Sequence, residues 1–342
     1  MTAPRTPHDS SPPVPPGRAC DRRDFLKAAA AAIPLGAAAV QSASAADPPA
    51  GDKPADAPAP APVQVQAQKP LPQIRLGKHS ISRLICGNNC FGAGSHLSVF
   101  VNHEMRAFFT PEQVLKTLGR CEQAGINTWQ ASLGWLDIYR RYLDQGGKMQ
   151  FIAIETENPQ TIAKLAAGGC LGIAHHGEAT DSLFKQGKLD KVADFLKRVR
   201  DAGMLAGVST HMPDVVDAVE SKGWEVDYYM TCLYERHRGE KALLALLGHV
   251  PLPPGEVYLK SDPPRMFKRI QATKRPCLAF KILAAGRLCE RVEIVDMAFR
   301  ETFAALKPTD AVIVGIYDKF DDQAAENAAF VRRYGQVVAS SQ

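Results

Sequence analysis

Between residues 73 and 335, eight short strand-like runs alternate with longer helical segments, and this alternation leaves few folds open. The strand-like runs, β-branched or apolar, fall at 83–87, 126–130, 150–155, 171–175, 205–209, 226–232, 277–282 and 311–315. Segments with helical spacing lie between them, at 111–124, 159–167, 189–202, 213–222, 291–306 and 321–334. Short apolar runs suit strands, and apolar residues three and four apart suit one face of a helix. In 189–202, Leu189, Val192, Ala193, Leu196 and Val199 share such a face, with Lys, Asp and Arg opposite and Gly203 at the end. Thr110 before Pro111 and Asn158 before Pro159 mark helix starts. Parallel strands need crossovers of this length, so the repeat predicts a parallel sheet with its helices outside. Eight such units predict the α/β class, closed as a (β/α)8 TIM barrel. An open doubly wound sheet is the runner-up, but no Gly-x-Gly-x-x-Gly turn follows the first strand. The stretch 234–265, rich in Pro, Gly and charge, reads as one long irregular loop after the sixth strand and as a candidate lid.

The barrel segment is preceded by a different kind of chain. Residues 21–45, DRRDFLKAAAAAIPLGAAAVQSASA, place a charged region before a short Ala-rich run and end on Ala43-Ser44-Ala45. The Arg22-Arg23 pair makes residues 1–45 resemble a twin-arginine (Tat) signal peptide, with Asp21 where a hydroxyl residue is usual. The resemblance implies export of an already folded protein to the periplasm or beyond, with the export machinery as a partner. The apolar run is far short of the roughly 20 residues of a spanning helix and contains Pro34 and Gly36, so no stable membrane anchor is expected in the mature form. Residues 46–72 are dominated by Pro and Ala and read as an extended linker, with 73–335 as the barrel and 336–342 as a tail. Loss of the leader lowers the formal net charge from +5 to +3, which does not argue for nucleic acid. Seven cysteines follow the leader at irregular spacing, a poor disulfide framework and better read as small core residues.

Barrel enzymes place their chemistry where the strands end, at the carboxyl-terminal mouth. The polar residues expected there are Asn88 and Asn89 after the first strand, Gln130 after the second, and Glu155 and Glu157 after the third. His175, His176 and Glu178 follow the fourth, and Ser209, Thr210 and His211 the fifth. The last three strands add Thr231, Tyr234, Glu235, Lys281 and Tyr317. Glu155, His175 or His176, and His211 come from three consecutive strands and are expected to converge. Glu155, His175 and His211 form a ligand set suited to Zn, Mn or Fe. Equally, the carboxylate and imidazoles form an acid/base set with no metal. Lys281 sits in an otherwise apolar run, where burial depresses its pKa and permits Schiff-base or general-base work. The competing expectation is an ion pair with Glu155. Arg287 suits a phosphate or carboxylate, or a surface acid. Trp129, Trp135 and Trp224 read as core or rim packing, with Trp135 nearest the mouth and best placed to stack on a sugar.

Four segments together resemble the aldo/keto reductase family. Ile74 to Gly92, IRLGKHSISRLICGNNCFG, is similar to its opening hairpin and first strand, and 196–209, LKRVRDAGMLAGVS, to the approach to its fifth strand. CLAFKILAAGRL at 277–288 is similar to its seventh strand and phosphate loop, and VIVGIYDKFDDQAAEN at 312–327 to its last strand and adenosine-binding helix. The resemblance implies NADP as cofactor, with Ser209 and Thr210 at the nicotinamide and Gln323, Glu326 and Asn327 at the adenosine end. The chain departs from the family at the catalytic tetrad. Gln130 stands for the Asp, Trp135 lies near the Tyr, Glu155 stands for the Lys, and only a histidine, His175 or His176, is retained. A tyrosine proton donor cannot be assembled from Gln, Trp and Glu. The leading expectation is therefore an exported enzyme using lyase or isomerase acid/base chemistry on a small carbonyl or carbohydrate compound, with or without a divalent metal. An atypical NADP-dependent oxidoreductase and a catalytically silent ligand-binding barrel are the alternatives.

Overall fold

The structure is a computed structural model that describes residues 69–156, 158–253 and 255–336. The leader, most of the linker, Glu157 and the last residues of the chain lie outside the described residues. Eight parallel strands close on themselves in the order β10-β3-β4-β5-β6-β7-β8-β9. They are β3 (Leu84–Gly87), β4 (Thr128–Ala131), β5 (Gln150–Glu155), β6 (Gly172–His175), β7 (Leu205–Thr210), β8 (Tyr228–Cys232), β9 (Cys277–Phe280) and β10 (Ala311–Gly315). The chain thus folds as a (β/α)8 barrel, with every strand on one of the eight runs. A hairpin precedes it, β1 (Gln73–Leu76) and β2 (His79–Ser82), paired antiparallel.

Strand residues alternate between two cores because successive side chains point to opposite faces. Ile85, Ile152, Ala174, Tyr228, Met230, Leu278, Ala311 and Ile313 fill the barrel interior. Ile74, Leu76 and Ile81 of the hairpin join that cluster and close the amino-terminal end. The Tyr228 ring finds room because Gly207 faces it: a Cβ there would sit 2.5 Å from the ring. The outer core lies between strands and helices and takes residues such as Trp129, Phe151, Ile173, Phe195 and Phe299. Leu71 also belongs to it, so the packed body begins before residue 73.

The helices are α1 (Val99–Phe108), α2 (Pro111–Gln123), α3 (Leu136–Asp144), α4 (Pro159–Ala167), α5 (Gly177–Lys185) and α6 (Lys191–Asp201), then α7 (Pro213–Ser221), α8 (Glu240–Leu247), α9 (Asp262–Ala272), α10 (Val292–Ala305) and α11 (Gln323–Tyr334). Thr110 and Asn158 accept backbone N–H bonds at the starts of α2 and α4, as capping requires. The stretch 234–265 is not one irregular loop. It contains α8, whose apolar run Ala242–Leu247 lies between Gly239 and a left-handed Gly248, and the first turn of α9. At the barrel floor, buried Arg83 donates to the carbonyl oxygens of Asp310 (2.8 Å), Gly335 (2.8 Å) and Lys307 (2.9 Å), joining β3 to the chain before β10 and after α11. Burial pushes its pKa down to about 10.

Candidate active site

The two-residue period of the strands decides which predicted residues reach the mouth. Phe151 and Ala153 belong to the outer core, and Glu155 continues that face. Its carboxylate accepts the Leu133 N–H at 2.5 Å, and burial pushes its pKa up. Ile173 is likewise an outer residue, and His175 follows it outward. The His175 ring meets Phe195 of α6 edge-on at 4.9 Å, with Nδ1 2.7 Å from Thr180 Oγ1. Burial lowers its pKa to about 4, so the ring is neutral. The expected convergence of Glu155, His175 and His211 therefore does not occur. Among the described residues no group of three His, Cys, Asp or Glu side chains is placed to hold a metal ion. Nor does Lys281 pair with Glu155.

His176, His211 and Lys281 do reach the mouth. His176 is in phase with interior Ala174, and its charged neighbours are Glu178, Arg236, Asp181 and Lys281. Burial lowers its pKa. His211 is held by Asp181 of α5: Nδ1 lies 2.8 Å from Oδ2, and the backbone N–H donates to the same oxygen at 3.1 Å. The Thr210 hydroxyl donates to Asp181 Oδ1 at 2.5 Å. An ionised carboxylate only accepts, so Nδ1 carries the His211 proton and Nε2 keeps its lone pair. Burial lowers the His211 pKa in spite of Asp181, which raises it. The ring is a neutral base in a fixed tautomer.

Lys281 ends its strand abruptly. It takes a left-handed backbone, φ 58°, which cuts β9 at Phe280 and turns the side chain into the mouth. Its Nζ lies 3.2 Å from His96 Nε2. His96 Nδ1 lies 3.0 Å from Glu256 Oε1, and Asn89 Nδ2 is 3.3 Å from Nε2. Burial first, then Lys281 and Arg236, push the His96 pKa down to about 3. The neutral ring therefore donates from Nδ1 to Glu256 and accepts at Nε2 from Lys281 and Asn89. Burial also lowers the Lys281 pKa; Arg236 and Arg287 lower it further, while Cys232 and Glu178 raise it. Arg236 is buried and bridges Glu178 and Glu256, and Glu178 also meets His237 Nε2 at 3.2 Å. Arg287 lies 4.0 Å over the Tyr258 ring and donates to the His96 carbonyl oxygen at 2.9 Å.

The remaining predicted residues scatter. Ser209 and Thr231 are buried, with hydroxyls that have no partner among the described residues, as is the Tyr317 hydroxyl. Gln323 Oε1 accepts the Tyr317 N–H at 2.9 Å, Glu326 is exposed, with its pKa raised by desolvation and by Asp321 and Asp322, and Asn327 is buried on α11. Gln130 donates to the Ala131 carbonyl oxygen at 3.1 Å. Trp129 is outer core, Trp135 meets Phe91 and Trp129 edge-on at 6.1 and 6.0 Å, and Trp224 lies under Lys222. Tyr234 packs 5.1 Å from Tyr258, and Glu235 pairs with Arg238 and Arg265. His96, Asp181, Arg236, His237, Glu256 and Tyr258 are mouth residues that strand-end reasoning misses. All six lie in loops or in helix α5, where no strand register points to them.

No protein-family model matches the chain, and no curated protein matches it. Among solved structures it is similar to the glycerol dehydrogenase AKR11B4 from Gluconobacter oxydans, at 12% identity and a TM-score of 0.45 over 79% of this chain and 98% of that one. A truncated 3-deoxy-D-arabino-heptulosonate 7-phosphate synthase from Thermotoga maritima matches at 11% identity and a TM-score of 0.45, over 77% of this chain and 91% of that one. Gox0644 in its apo form matches at 9% identity and a TM-score of 0.47, over 80% and 91%. Likeness at this level leaves the chemistry to be argued from the mouth itself.

Proposed function

We propose that the chain is an exported barrel enzyme that moves protons on a small carbonyl or carbohydrate compound, in lyase or isomerase chemistry, with Lys281 as the amine that engages the carbonyl. The observation that carries this reading is the setting of Lys281. A lysine at a strand end, desolvated and beside two arginines, keeps a larger neutral fraction than a surface lysine. Its Nζ adds to the carbonyl carbon, a C–N bond forms, and the carbonyl oxygen leaves as water after taking up protons. The product is a protonated imine, which withdraws electrons from the neighbouring C–H or C–C bond. A neutral imidazole then takes the proton. His211, in the tautomer fixed by Asp181, has Nε2 available, and His176 is the second ring on the same mouth. The Arg22-Arg23 leader delivers the folded barrel. The seven cysteines described are all free, which fits folding in a reducing compartment first.

Proton exchange tests this reading whatever the substrate. In D2O, small ketones, aldehydes and keto acids are followed by proton NMR for loss of their α-proton signals. At least one is expected to exchange above the buffer rate, and Lys281→Met to abolish the excess. Exchange that persists in Lys281→Met would remove the lysine from the mechanism.

A further inference from the structure

We propose that the mouth contains a subsite for a carboxylate or phosphate group, formed by Arg236, His96 and Tyr258, and that the Glu256 carboxylate occupies it in the free protein. Glu256 holds three contacts that an anionic ligand group would seek. Its Oε1 pairs with Arg236 Nη1 and accepts a hydrogen bond from His96 Nδ1–H at 3.0 Å, and its Oε2 accepts from the Tyr258 hydroxyl at 3.1 Å. These donors come from three separate segments, the loop after β3, the chain after β8 and the approach to α9, so the carboxylate is where they converge.

Two observations mark this carboxylate as a stand-in. Glu256 has φ 59°, a left-handed backbone disfavoured for a residue with an ordinary side chain, so its contacts and not its own preference hold it there. Arg236 is 3% exposed, yet its Nε has no partner among the described residues while Nη1 and Nη2 are engaged. A buried arginine with an unused donor matches a ligand with more acceptor oxygens than one carboxylate side chain presents. The cations around this point are Arg236, Lys281 and Arg287, against Glu178 and Glu256. Displacing Glu256 leaves the pocket short of one negative charge, which an anionic ligand restores.

The position also relates the subsite to Lys281. His96 touches Glu256 through Nδ1 and Lys281 through Nε2, so the two ligand positions lie on opposite edges of one imidazole. As a statement about substrate, the inference rests on the lysine chemistry proposed above: it names a short oxo compound that also carries a carboxylate or phosphate.

Isothermal titration of the full-length chain with inorganic phosphate, and separately with acetate, at fixed ionic strength tests the subsite. Glu256→Gln is expected to bind at least one of the two about tenfold more tightly than the wild type, and the preferred anion names the group. Arg236→Gln in that background is expected to abolish the gain. Tyr258→Phe removes a single hydroxyl, leaves the buried arginine alone, and is expected to weaken binding about threefold; it decides the case if Arg236→Gln does not fold. An affinity in Glu256→Gln no better than wild type for either anion, or a gain that Tyr258→Phe leaves intact, would overturn the proposal. The α-proton exchange of the same variants is read separately. Anion binding without exchange keeps the subsite and removes the lysine chemistry; exchange without anion binding does the reverse.

Discussion

His175 provides a quantitative test of how the fourth barrel strand faces. The ring sits between β6 and the helix layer, against Phe195 and Thr180, and is 3% exposed. Its pKa falls from an ordinary 6.5 to about 4 because burial disfavours the charged form. The unfolded chain therefore binds a proton below pH 6.5 that the folded chain refuses until about pH 4. The resulting stability is fully present above pH 6.5 and is lost as pH falls towards 4. Integrating the linkage relation for this one site gives a loss of about 2 kcal/mol between pH 7 and pH 5, and about 3 kcal/mol by pH 4. His96, His176, His211 and His237 also have lowered pKa values, so the wild-type acid response alone cannot isolate one ring. The double difference can. His175→Gln keeps a polar partner for Thr180 and removes the titration; the ring contact with Phe195 that it also loses is the same at both pH values and cancels in the difference. Urea unfolding at pH 7 and pH 5 is expected to show the wild type losing about 2 kcal/mol more than the variant, because burial is the first cause of the His175 shift and the charge of adjacent His176 the second. Equal losses in the two proteins would mean that His175 is not a neutral ring buried behind the barrel wall.

Arg83→Met leaves three carbonyl oxygens at the barrel floor without their donor, and its urea midpoint should drop by the equivalent of about 3 kcal/mol. Gly207→Ala puts a Cβ 2.5 Å from the Tyr228 ring inside the barrel, and thermal unfolding should show a loss of roughly 1–3 kcal/mol from overpacking. Asp181→Asn removes the charge that raises the His211 pKa; nitrogen NMR should show the ring staying neutral to lower pH than in the wild type, and α-proton exchange should fall as the base weakens. In the wild type the exchange rate should rise with pH as the Lys281 amine loses its proton, and level off below the ordinary lysine value of 10.5. A rate still climbing at that value would place Lys281 in water.

The fold was legible because both periods are strong. Eight β-branched runs and the helix faces between them admit few closed solutions, and the barrel uses all eight runs. The segment around α8 was harder: Pro, Gly and charge on both sides mask a short apolar helix that Gly239 and Gly248 nonetheless delimit. The site was legible only in part, for a geometric reason. Sequence places Glu155, His175, His176, Ser209, Thr210 and His211 near strand ends, yet the face of each depends on strand phase, and one residue's slip reverses it. Thus His176 and His211 look into the mouth while Glu155, His175 and Thr210 look behind it. Lys281 stood out as a charge in an apolar run. His96, Arg236 and Glu256 come from connecting segments far apart in sequence, and no local pattern brings them together.

Borohydride trapping tests the central claim about Lys281 most directly. The full-length protein is incubated with each exchanging carbonyl compound, reduced, digested and mapped by mass spectrometry. The mouth geometry predicts one dominant adduct, on Lys281, absent from Lys281→Met and suppressed when the preferred anion is added in excess. Labelling spread over surface lysines, with Lys281 unmodified, would contradict it.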